Sequence, residues 1–310
     1  DRDDLVRYLT GLAVASLLLA VSAFMCLSHQ QELLSKPTSL RQRYYRIMHL
    51  FPFVVACSCW FQVVAPELAV GFLLLQEVWE ALALHFFALA IVDLMGGPEA
   101  TVTSLARVEP HGVFGRNRWC VPPCCCLVWF LPCAFRDGDN VFTTSALVKM
   151  CNMIEQYCYV APVAASVSTV LDFNTRQEQH KRLETFFILE LLVQLIQSVS
   201  MFCCLQALFA LYKATHDVLI PYRTTSKFLA IKVLIILSLV QKILVVWLCH
   251  TPLLTFPKSA VFTHADAAAR LQAFLLLTEI PFLQAVVNNA FTAKELNAAL
   301  SEGLMENHGG

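Results

Sequence analysis

The chain carries four carboxylates, Glu80, Glu155, Glu190 and Glu279, inside long runs of apolar residues. A carboxylate held at bilayer mid-depth costs about 3 kcal/mol or more, so such a group is usually paired or functional. Counting along its run, Glu80 lies about ten residues in, or roughly 15 Å deep at the helical rise. Amides and cations recur around these acids at helical spacing. Lys149, Asn152, Gln156 and Tyr159 form one stripe with Glu155 at its edge. Glu190, Gln194 and Gln197 share a face, and Gln272 and Glu279 share another. Stripes of this kind are unfavourable against lipid. Turned inward, they line a shared cavity or form polar seams between helices.

The chemistry open to these groups is binding and passage rather than bond cleavage. Among nine histidines only His85 lies well inside a run, with His49 at the start of another. No His-x-x-x-His pair occurs, which argues against a buried zinc hydrolase. No Gly-x-x-x-x-Gly-Lys-Ser/Thr loop is present for nucleotide-driven pumping. Span seven has no lysine for retinal and no Asn-Pro-x-x-Tyr motif. The sequence therefore predicts no enzyme, no metal and no cofactor. Lys232, within about 8 Å of a helix end, can snorkel to the surface, as can Lys149. Gln241 cannot reach out this way and is expected to face inward.

The elements that must position these residues follow from hydropathy. Of 310 residues 57% are hydrophobic and 15% charged, with mean hydropathy +0.61; soluble domains carry roughly 25% charged residues. We read an all-α polytopic membrane protein forming a single transmembrane domain over 1–310. Its seven spans lie at about 5–27, 47–69, 71–94, 144–170, 184–211, 227–249 and 268–292, with a short polar tail at 295–310. Residues 5–27 exceed a signal-peptide core and read as a first span. The chain opens on Asp1 rather than Met, which leaves room for an upstream segment. Pro66 and Gly71 are expected to mark a tight turn between spans two and three, and Pro52, Pro162 and Pro281 to lie within spans. A net charge of −1 makes nucleic acid a poor partner.

One segment resists this scheme. Residues 120–135 carry no charge and hold Cys120, Cys124, Cys125, Cys126 and Cys133 among three prolines. Sixteen residues are short for a crossing, so an interfacial or re-entrant loop is expected. Juxtamembrane cysteines of this kind are candidates for S-palmitoylation. Lys and Arg divide twelve to seven between the two faces whether this segment crosses or not. The positive-inside rule thus places the N-terminus outside without fixing seven spans over eight.

The ordered motifs resemble the superfamily of the organic solute transporter alpha subunit and the Lazarus-type proteins. They are Gln76–Gly97, Leu147–Ala164 with Lys149, Cys158 and Pro162, Lys227–Gln241, and Glu279 followed by Ala290-Phe291-Thr292. The cysteine run is similar to that of the alpha subunit. Glu77, Trp79 and Val240 depart from the family pattern. The resemblance implies seven spans and facilitative movement of amphipathic organic solutes such as steroid conjugates or bile-acid-like compounds, across the plasma membrane or an endomembrane. Alpha subunits of animals work with a small single-pass beta subunit, which makes such a subunit a candidate partner here; membrane lipid and a second copy of the chain are the other partners considered. Glu80, Glu155, Glu279, Lys149, Asn152, Glu190, Gln194, Lys232 and Gln241 are the expected pathway residues. A lipid-binding scaffold or signalling protein with an acylated cytosolic loop is the alternative.

Overall fold

The computed structural model describes residues 2–36, 39–106, 144–177, 183–250 and 264–292, and every regular element among them is helical. In chain order these are α1 (Arg2–Leu34), α2 (Leu40–Val64), α3 (Pro66–Leu94), α4 (Pro98–Ala106), α5 (Thr144–Gln177), α6 (Leu183–Leu219), α7 (Thr224–His250) and α8 (His264–Ala290). Five of them contain a stretch long and apolar enough to cross a membrane: Tyr8–Leu34, Leu40–Val64, Gly71–Leu94, Leu191–His216 and Ala269–Ala290. The cysteine-rich segment lies outside the described residues.

The helix ends follow local chemistry. Ser39 caps α2, its Oγ accepting from the Gln42 amide at 3.1 Å. Between α2 and α3 the turn is shorter than expected. Ala65 alone separates the helices, Pro66 opens α3 and Gly71 lies inside it. Proline at the first helical position has the right φ and lacks an amide that would go unpaired there. At the far end of α3, Gly96 and Gly97 adopt φ of 89° and 101°, and Gly97 N donates to Val92 O at 2.9 Å. Gly97 O then accepts from the Thr101 amide and hydroxyl, tying in α4. Pro52, Pro162 and Pro281 do lie within helices α2, α5 and α8.

The chain divides into two compact units, residues 1–79 with 226–310, and residues 80–225. In the first, α1, α2 and α8 pack on one another in all three pairings. Trp60 Nε1 of α2 donates to Ser16 Oγ at 3.1 Å, and Gln42 Nε2 to Leu33 O at 2.6 Å. α2 therefore runs opposite to α1. Asn288 reaches Met25 O and His29 meets Phe291 O, while Tyr8 and Gly11 share a recess with Arg270 and Phe274. α8 thus runs parallel to α1. α7 opposes α8, because Lys227 lies over Tyr45, itself in contact with Phe291, and Gln241 meets Glu279. In the second unit α5 lies along α6, with α4 against both. The remainder of α3 contributes Glu80 and four small residues, Ala81, Ala83, Ala88 and Ala90, all buried.

Candidate functional site

Glu80 is buried, with 9% of its surface exposed. Tyr157 of α5, almost wholly enclosed, donates its hydroxyl to Glu80 Oε1 at 3.3 Å. One residue on, the Cys158 thiol donates to Ala81 O at 3.4 Å. The pair of contacts fixes the register of α3 against α5 at the level of the carboxylate. A tyrosine is suited to this position because its ring is apolar and its hydroxyl supplies the donor.

The other acids of the second unit are placed differently. Glu155 is half-buried and accepts from Tyr159 one turn ahead, at 3.0 Å, with Tyr159 itself 64% exposed. Lys149, Asn152 and Gln156 occupy the exposed face of α5, and Gln194 is exposed on α6. The side chain of Glu190 lies outside the described residues, as do Cys120, Cys124, Cys125, Cys126 and Cys133.

In the first unit Gln241 and Glu279 are brought together. Gln241 is buried, and its Nε2 donates to Glu279 Oε2 at 2.6 Å. Lys232 sits over the Phe228 ring at 4.8 Å on the same helix. Neither arrangement forms a catalytic dyad. Among the described residues no group of three His, Cys, Asp or Glu side chains could hold a metal ion.

Sequence reasoning missed the densest polar cluster in the described structure. His49 of α2 has no exposed surface and lies between α1 and α8. A proton on Nε2 satisfies both ring nitrogens: Nε2–H donates to Asn288 Oδ1 at 2.6 Å, and Nδ1 accepts from Gln30 Nε2 at 3.2 Å. Gln284 Nε2 also donates to Asn288 Oδ1 at 3.0 Å. Gln30 exchanges bonds with Arg46, giving one to its carbonyl at 2.9 Å and receiving one from its Nε at 3.2 Å. His29 packs its ring 4.6 Å from that of His49 and bonds the Phe291 carbonyl at 2.8 Å. A signal existed in the i, i+4 pair Gln284 and Asn288. The apolar run ends at residue 27, so the sequence alone puts His29 and Gln30 in a loop, whereas the helix continues to Leu34.

The family described as organic solute transporter Ostalpha matches residues 9–296, nearly the whole length. The chain belongs to the Ostalpha family. This is a transporter family and not an enzymatic one, and its members are membrane proteins acting as transporter subunits. Among curated relatives, the vacuole membrane protein hfl11 of Schizosaccharomyces pombe is 26% identical over 170 residues. That match covers 54% of this chain and only 35% of the yeast protein, so the chain spans about a third of that relative. No solved structure matches. This Ostalpha-family chain is accordingly a multi-pass membrane protein, of the plasma membrane or an endomembrane.

Proposed function

We propose that the protein is a facilitative carrier of amphipathic organic solutes, steroid conjugates or bile-acid-like compounds among them. The observation that supports this most is the Ostalpha match over residues 9–296, joined to carboxylates kept inside the helices by hydrogen bonds. A carboxylate inside apolar helices is costly unless hydrogen-bonded, and its bonds are what an incoming polar group can replace. Glu80 with Tyr157, and Glu279 with Gln241, are on this reading polar steps that a solute can exchange bonds with. Asn152, Lys149, Glu155, Glu190, Gln194 and Lys232 complete the proposed pathway set.

Seven crossings suit this reading better than eight. Two spans point the same way across a bilayer only when an even number of reversals separates them. α1 and α8 run parallel within their unit, and α2 runs against them, as the first, last and second of seven would. An eighth crossing through the cysteine-rich segment would oppose α8 to α1. The cysteines Cys120, Cys124, Cys125, Cys126 and Cys133 are then a cytosolic loop open to S-palmitoylation, and a single-pass beta-type subunit remains a proposed partner.

Uptake of a labelled steroid sulphate by proteoliposomes tests the proposal, with and without a single-pass partner. Gradient-dependent flux that falls in Glu279→Gln and Glu80→Gln supports it. Absence of flux under both conditions, with partner capture dependent on the cysteine loop, would favour the scaffold reading instead.

A further inference from the structure

Two polar groups that meet inside apolar helices normally use up each other's bonding capacity. The Gln241–Glu279 pair does not. Gln241 is 8% exposed, and its Nε2 donates to Glu279 Oε2 at 2.6 Å. Its Oε1, on the same amide, is buried and has no hydrogen-bond partner among the described residues. No lysine, arginine or histidine pairs with Glu279 among those residues either. What the pair has left to offer is acceptors: an amide oxygen with two unused lone pairs and a carboxylate holding a single donor. A buried acceptor without a donor is unfavourable, and more so in an apolar setting.

We propose that this pair binds the ammonium head of an amphipathic primary amine. Two acceptors on separate helices call for two donors on one ligand atom. A hydroxyl has one N–H or O–H equivalent to give, whereas an ammonium has three and brings the opposite charge. The ammonium replaces the Gln241 N–H at Glu279. Turning the Gln241 amide over about its last torsion, which is broad and roughly two-fold, then brings Oε1 to the same nitrogen. In this way the oxygen that is unpartnered without ligand gains a donor, and the carboxylate keeps one throughout. A metal ion fits less well: no group of three His, Cys, Asp or Glu side chains could hold one among the described residues. The apolar body of the ligand has a matching surface. Leu276 and Leu283 on α8, and Leu234 and Val245 on α7, lie within two turns of the pair on the same faces and are buried. The inference goes beyond the carrier reading, since it names a cationic head group and claims binding rather than flux.

Equilibrium binding to the full chain in phosphatidylcholine nanodiscs tests the clamp, with empty nanodiscs as the blank. The probes are one labelled steroid bearing, at the same carbon, an ammonium, a trimethylammonium or a hydroxyl group. The primary amine carries its charge at neutral pH, as a lysine does. Wild type is expected to bind it about 10-fold more tightly than either analogue, because the hydroxyl lacks the charge and the trimethylammonium lacks every N–H donor. Glu279→Gln should weaken the amine about 30-fold, as for loss of a charge-assisted bond, and the alcohol little. Gln241→Met separates the clamp from a simple ion pair. If the carboxylate alone mattered, removing the competing N–H would tighten amine binding; the clamp requires it to weaken, by about 10-fold. The ligand series on wild type keeps the test decisive should a variant fail to fold. Equal affinity for ammonium and trimethylammonium, or wild-type amine affinity in both variants, would overturn the proposal. Steroid sulphate flux without any preference for the amine would end the clamp and leave the carrier reading intact. Glu279-dependent amine binding without sulphate flux would do the reverse.

Discussion

Polar side chains inside the first unit close on one another, whereas most of those in the second face outward. Around His49 of α2, two further helices contribute His29, Gln30, Gln284 and Asn288, each within hydrogen-bond or ring contact of another member. On α5 and α6, Lys149, Asn152, Gln156 and Gln194 are exposed, while Tyr157 turns inward to bond Glu80. The sequence patterns behind the two regions look alike, as amides and charges at helical spacing in apolar runs. The difference teaches that a polar stripe fixes which residues share a face but not which way that face turns. A network with this many buried bonds is costly to interrupt, because each lost member leaves buried partners unsatisfied. An outward stripe should tolerate change.

The largest expected effect follows from cutting the network at its centre. His49→Leu removes the partner of both Asn288 and Gln30, and should lower stability by about 3 kcal/mol, read by denaturant unfolding in micelles or nanodiscs. A loss below a quarter of that would mean the cluster is not a stabilising unit. A smaller effect is expected at the Gln241–Glu279 contact. A double-mutant cycle with Gln241→Leu and Glu279→Gln should return a coupling of about 1.5 kcal/mol, near the upper range for intramembrane hydrogen bonds. Zero coupling would sever the two groups energetically. Tyr157→Phe removes one long hydrogen bond to Glu80 and should cost about 1 kcal/mol, checked by the same unfolding measurement. The smallest effect belongs to the outward face. Asn152→Leu should alter the stability of the isolated chain by about 0.5 kcal/mol or less. A large drop there would show that this face is covered, and would erase the contrast between the two units.

Much of the fold was legible from residue order alone. Apolar runs marked the helices, and Pro52, Pro162 and Pro281 lie within them as expected. Boundaries were less legible. α1 continues to Leu34 and α2 begins at Leu40, well outside the apolar stretches at 5–27 and 47–69. The polar ends continue as helix because the buried bonds of Gln30 and Gln42 hold α1 and α2 against each other. Glu80 was expected inward and is buried, and Gln241 likewise, since neither side chain can reach a surface from its depth. Gln272, expected to share a stripe with Glu279, did not signal that Gln241 would be the acid's partner. That pairing joins residues 38 apart and depends on how α7 opposes α8.

The sequence by itself determined a helical membrane protein, its acidic residues within apolar runs, its family resemblance and the absence of nucleotide and zinc motifs. Those properties are local: they rest on hydropathy, spacing and the backbone preferences of Pro, Gly and Ser. Only the tertiary structure decided that His49 is the centre of a network, that α1 and α8 run in one direction, and that Arg270 lines an apolar recess. Each of these joins helices remote in sequence, and periodicity within one helix carries no information on the rotation or direction of its neighbour.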